Sequence, residues 1–182
     1  MMQVKLSFID PELREAPYTI VTVRMEMRKL HKLSFDLKLW KNHALSQSLL
    51  GALLLAPIIL IFEEHNLLIV ASLGSTIFVV LAIPSSKSAR AKNVLAGHFI
   101  GLSVGSLSSL ITIPIIPAII AVGITMLLMI ITKTAHAPAT GTALALSGSA
   151  IISFNLAFGF FMVLIFIAMI HHLGKPYLRD LV

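Results

Sequence analysis

From Ile151 to His171 the chain carries no Asp, Glu, Lys or Arg, and comparable apolar stretches precede it. A run of that length matches the ~30 Å hydrocarbon core of a bilayer when it is helical. With 57% hydrophobic and 12% charged residues over 182 positions, the chain reads as an all-α, multi-pass membrane protein. Five spans are predicted, at 44–62, 67–83, 94–113, 118–132 and 151–171. The stretch 134–149 is short for a lipid-exposed span, and a short or re-entrant helix enclosed by its neighbours is expected there.

Residues 3–9 and 21–27 alternate apolar and polar with period two, which predicts a small cytoplasmic β-ribbon. Leu30, Leu33, Leu37 and Trp40 then recur at helical spacing beside Lys29, Lys32, Lys38 and Lys41, the pattern of an amphipathic helix on the membrane face. Three regions result: an interfacial segment 1–42, a transmembrane domain 43–173 and a tail 174–182. No central apolar block marks a cleavable signal in the first 43 residues, so a mature, cytoplasmic N-terminus is expected.

Positive charge sorts the loops. Eight Lys/Arg precede the first span, Lys87, Arg90 and Lys92 fill the second loop, and Lys133 follows the fourth span, while the first and third loops have none. By the positive-inside rule these basic segments face the cytoplasm, with the chain in the cell (inner) membrane. Five spans would leave Lys175 and Arg179 outside. A crossing by 134–149 removes that conflict, and the side of the C-terminus stays open. The net charge of +6 is accounted for in this way, and no nucleic acid is expected as a partner. The chain has no cysteine, which excludes disulfides, thiolate metal sites and cysteine nucleophiles.

Between His65 and Arg179 there is not one Asp or Glu. Cation and proton-driven transporters usually hold a membrane-embedded carboxylate, so this absence favours an anion or a neutral solute, with histidine left as the group for proton coupling. Paired-carboxylate hydrolysis and a magnesium site within the spans have no ligands, no nucleophile-and-base pair stands out, and neither catalysis nor a cofactor or metal is expected.

The segment "TKTAHAPATGTALALSGSA", Thr132 to Ala150, is the polar exception in the apolar chain. Pro138 suits the first position of a helix, which would leave the N–H groups of Ala139, Thr140 and Gly141 unpaired. Those amides, with the Thr140 and Thr142 hydroxyls, could bind an anion at a helix N-terminus; alternatively, the small residues simply permit close packing. "ASLGSTIFVVLAIP" has a similar grammar, and Gly74, Ser75 and Thr76 would form the other half of the site if a weak internal repeat brings the clusters together. In "KNVLAGHFIGLSVGS", Asn93 is placed to cap the following helix, and Gly97, Gly101 and Gly105 make a strip for helix packing. His98 and His136, at the cytoplasmic ends of their elements, read as structural hydrogen-bonders or as groups lining the path, with Lys92 and Lys133 at its mouth. His171 and His172 read as interfacial.

Three blocks together resemble the HPP family of small integral membrane proteins. "HAPATGTAL" is similar to the family's "HPPAGATAL"-like block at His136, Pro138, Ala139, Thr142, Ala143 and Leu144. "KNVLAGH" is similar to "RNVIGGH" at Asn93, Val94, Gly97 and His98, and "SLGSTIFVVL" resembles "PFGASAVLLF", anchored by Gly74. The resemblance covers roughly residues 45–173, and Ala137 and Ser72 stand where the family has proline. It implies a membrane permease or channel, and nitrite as the best single small anion, since members in plastids and cyanobacteria are assigned to nitrite transport. The alternative is a non-transporting scaffold that binds a partner through residues 1–42. The strips of small residues also point to a homo-oligomer.

Overall fold

A computed structural model describes residues 20–62, 67–148 and 153–182. They form six α-helices and one 3-10 turn, in the order α1 (Ile20–Phe62), α2 (Leu67–Ala82), the turn Lys87–Ala89, α3 (Ala91–Ser108), α4 (Ile116–Ile131), α5 (Pro138–Ser147) and α6 (Phe154–Gly174). The chain divides into two compact units, Met1–Lys41 and Asn42–Val182.

No strand occurs among the described residues. The expected strand at 21–27 is part of α1, and its expected partner at 3–9 lies outside the described residues. Helix propagation adds one hydrogen bond for each residue fixed and needs no new nucleus, so a helix established downstream extends easily through Val- and Thr-containing sequence. The amphipathic segment 30–40 is helical within the same α1.

Two helical stretches, Lys41–Phe62 and Phe154–Gly174, are long and apolar enough to cross a membrane, with mean hydropathy 2.2 and 2.3. The helices α2 and α4 are apolar but have 16 residues each, about 24 Å at 1.5 Å per residue. Leu45, Leu49, Leu53, Leu60, Ile119, Leu127, Ile130, Ile165 and Phe166 are exposed, as lipid-facing positions should be. The apolar core lies where α1, α2 and α6 meet: Ile58 and Phe62 pack with Ile69, Leu73, Ile77, Phe160, Leu164 and Ile167. Phe62 and Phe160 meet edge to face, their centroids 6.4 Å apart.

The seam between α3 and α5 is closer. Gly97, Gly101 and Gly105 put the α3 backbone directly against α5: a methyl group at Gly101 would collide with the Ala139 carbonyl, and one at Gly105 would lie 2.6 Å from the Ala143 carbonyl oxygen. Without Cβ atoms two helices can approach to backbone contact, which holds the short α5 inside the bundle.

One end of the bundle gathers the polar connections. The Asn93 side chain donates to Ala135 O (3.2 Å), which joins the start of α3 to the segment before α5. Asn93 therefore does not cap α3; the helix begins at Ala91 after Arg90, and the amide is turned toward the neighbouring chain. The C-terminal tail folds back to this same end. Gln47 of α1 donates to Leu81 O and to Arg179 O (2.9 Å) and accepts from Arg179 N–H (3.0 Å), while Leu181 N–H donates to Ala82 O (2.7 Å). Ser85 donates to the Asp180 carboxylate through both backbone and side chain, which holds that carboxyl below its ordinary pKa. Thus Lys175 and Arg179 lie at the same end as the Lys87–Lys92 loop. His171 is buried and bonded to Pro84 O (3.0 Å), whereas His172 is exposed.

Candidate functional site

Beneath this basic end lies a buried cluster of imidazoles and hydroxyls. His98 enters from the second turn of α3 and His136 from the segment leading into α5; both are 0% exposed, and their ring centroids are 5.0 Å apart. A histidine is costly to leave against lipid, so both rings turn inward, where α2 offers Thr76 and Ser72 and α5 offers Thr142.

The hydrogen bonds form one connected system. His136 Nδ1 donates to Ser88 O (2.9 Å), which fixes its tautomer, and its Nε2 faces Thr76 Oγ1 (3.2 Å). Thr76 Oγ1 also lies 2.8 Å from His98 Nε2 and donates to Ser72 O (3.0 Å). On the far side of the His98 ring, Nδ1 is 2.8 Å from Thr142 Oγ1, which is 2.7 Å from Ser72 Oγ; that hydroxyl donates to Pro138 O (2.7 Å). Phe160 closes the apolar side, its ring edge-on to His98 at 5.5 Å.

Of the residues predicted from sequence, His98, His136, Thr76 and Thr142 come together here. The two Gly/Thr clusters do meet: Gly141 packs on Ser72, and Ser72, Ser75, Pro138, Thr140 and Gly141 line one cavity of about 440 Å³ between α2 and α5. Gly74 does not join them, since it faces Leu55 of α1. Ser75 and Thr140 turn their hydroxyls back to Ser72 O (2.9 Å) and Ala137 O (2.7 Å). Lys92 and Lys133 are exposed at the basic end.

The expected free amides at the start of α5 are corrected. Pro138 does begin the helix, but Ala139 N–H donates to His136 O (3.0 Å) and Thr140 N–H to Ala137 O (3.1 Å). Tight i-to-i+3 bonds of this kind commonly close helix ends, and here they occupy two of the three amides expected to be free. Sequence reasoning did not single out Ser72 and Ser88 as site residues. Ser88 had no signal beyond its place among the basic residues of the loop, and Ser72 only its nearness to Thr76.

The fold and the buried cluster define an all-helical membrane protein with a polar centre enclosed by apolar helices. The family model described as HPP, transmembrane region, matches residues 35–175, and the chain belongs to that family. No curated protein and no solved structure matches it.

Proposed function

We propose that this HPP-family chain is a permease or channel for a small inorganic anion, with nitrite as the leading substrate, and that it carries out no catalysis. The observation that carries this reading is electrostatic. The His98–His136 cluster is buried in a chain with no Asp or Glu between Glu64 and Asp180, under an end that presents Lys87, Arg90, Lys92 and Lys133. Cationic surface groups above an acid-free polar centre attract anions and repel cations. In this reading the basic end is the cytoplasmic mouth, as the positive-inside rule requires, and the C-terminus lies on that side. Lys92 and Lys133 concentrate the anion, while the hydroxyls of Thr76, Thr142 and Ser72 with the two imidazoles take the place of its hydration shell. Ser72 connects that centre to the cavity lined by Ser75, Thr140 and Gly141.

The test is uptake of nitrite, nitrate, formate and chloride by proteoliposomes holding the purified protein, with His136→Ala alongside. Saturable uptake that falls sharply in the folded variant supports the reading. An absence of flux for all four anions from folded protein rejects it, and would direct attention to residues 1–42 as a docking segment.

A further inference from the structure

Neutral imidazoles leave two hydroxyl protons of the buried network each claimed by two acceptors. His136 uses its ring proton on Ser88 O, so its Nε2 must accept, and the hydroxyl facing it is Thr76, whose hydrogen is also directed to Ser72 O. The Ser72 hydrogen is claimed by Pro138 O and, when Thr142 donates to His98 Nδ1, by Thr142 Oγ1 as well. One further proton, taken by His136, resolves the first of these conflicts without moving a heavy atom. Its Nε2–H then donates to Thr76, which also accepts from His98 Nε2–H and donates to Ser72 O. Only the Thr76 hydroxyl hydrogen rotates, its oxygen having two lone pairs for the two ring donors.

Charge opposes that state. The groups facing the pair are Ser72 and Thr76 from α2, Thr142 and Ala139 from α5, Ser88 from the 3-10 turn, Phe160 from α6 and, beside Gly97, Met129 from α4; none is acidic. Asp180 is exposed and engaged with Ser85, and His171 is bonded to Pro84 O. The charged residues nearest in the chain, Lys87, Arg90, Lys92 and Lys133, are all cations. The α5 helix also starts here, with the positive end of its dipole. A buried cation without a counter-charge is strongly unfavourable, and binding one monovalent anion supplies that charge.

Resting on the anion reading above, we propose that the His98–His136 network takes up a proton with each anion, so that the chain is an electroneutral proton–anion symporter. The proton comes from water at one mouth, occupies an imidazole lone pair while the anion is bound, and leaves with it. Nothing is oxidised or reduced.

The experiment measures nitrite and protons together. Proteoliposomes containing a trapped pH dye are given an inward nitrite gradient, with potassium and valinomycin clamping the membrane potential, and protein-free vesicles subtract spontaneous crossing by nitrous acid. The expected result is lumenal acidification at about one proton per nitrite, because that ratio leaves the acid-free site neutral, with a rate unaffected by the clamped potential. In His136→Gln, whose amide mimics the neutral ring but takes no proton, the coupled acidification should be lost. If that variant fails to fold, His98→Gln and the potential-independence of the native chain decide the matter. Nitrite entry without protons, at a rate set by the potential, overturns the symport and leaves the permease standing. No nitrite entry at all from folded protein overturns the permease itself.

Discussion

At the basic end Gln47, Asn93, His136 and His171 each reach a carbonyl on another element, at Leu81 and Arg179, Ala135, Ser88 and Pro84. At the opposite end Ser108, Ser109 and Ser147 bond only to carbonyls three or four residues back, at Val104 and Gly105, Ser106 and Leu144. Both arrangements satisfy polar groups that lipid cannot, but only the first ties helices to one another. Local back-bonding fixes a side chain without fixing a neighbour. Among the described residues, polar contacts tie the helices at the basic end, and apolar packing does so at the other, with the glycine seam running between them.

The seam is the strongest place to break this contrast. Gly101→Ala drives a methyl into the Ala139 carbonyl, a clash with backbone rather than with a yielding side chain. A loss of about 1–3 kcal/mol is expected, the range of an overpacked core, and α5 should detach with both ends affected. Gly123 has nothing within 4 Å of its would-be Cβ, so Gly123→Ala should leave stability level or improve it by up to ~1 kcal/mol. Unfolding of both variants in detergent checks this; equal midpoints would show that the seam is not under close contact.

Next in size is the tail. In Gln47→Leu the Leu81 and Arg179 carbonyls and the Arg179 amide lose their partner, at an expected cost of about 1–3 kcal/mol. Ser147→Ala at the opposite end should cost less than ~1 kcal/mol, because the Leu144 carbonyl keeps its helical environment. Rates of carboxypeptidase trimming separate the two: faster trimming in Gln47→Leu alone sharpens the comparison, and equal trimming defeats it.

A smaller effect with opposite sign is expected at Lys133, which has φ 55° immediately after α4, with Thr134 N–H donating to Met129 O (2.9 Å). Glycine is the usual occupant of that left-handed position, and a side chain there costs about 1–2 kcal/mol. Lys133→Gly should therefore raise the unfolding midpoint while lowering anion uptake at low salt, where an exposed charge is least screened. A variant that gains neither stability nor loses uptake would remove Lys133 from the account.

These contrasts also show how far the sequence could be read. Acid-free apolar runs located α2, α4 and α6, because the bilayer imposes length and hydropathy on any helix that crosses it. The same reasoning singled out His98 and His136, since a lone imidazole amid lipid must turn inward. The expected strand at 21–27 failed because period two over a few Val and Thr residues does not prevent a neighbouring helix from continuing. Asn93 was misread for a related reason: a side chain that can cap its own helix also suits a carbonyl elsewhere, and only the fold brings Ala135 near. Ser72 and Ser88 gave little because serine is tolerated almost anywhere in such helices, and its partner depends on which chain lies opposite.

The smallest expected effect is at Asp180, the exposed carboxylate that accepts from Ser85 through both its backbone and side chain. Those bonds favour the ionised form and lower the folded-state pKa. The sign follows: the unfolded or undocked tail has a pKa near ~3.9, so the stabilising contribution is fully present above that value and is lost as pH falls through the lower, docked value. Tail docking should therefore be constant from neutral pH down to about pH 4 and weaken only below it. Asp180→Asn, which keeps the shape and loses the charge, should flatten that acid limb with little change at neutral pH, because an exposed pair contributes little. A fluorophore on the C-terminus with a quencher at the start of α3 gives the readout. A native tail that stays docked with no acid limb would assign its docking to Gln47 and Leu181 alone, and the polar tie at this end would then be independent of charge.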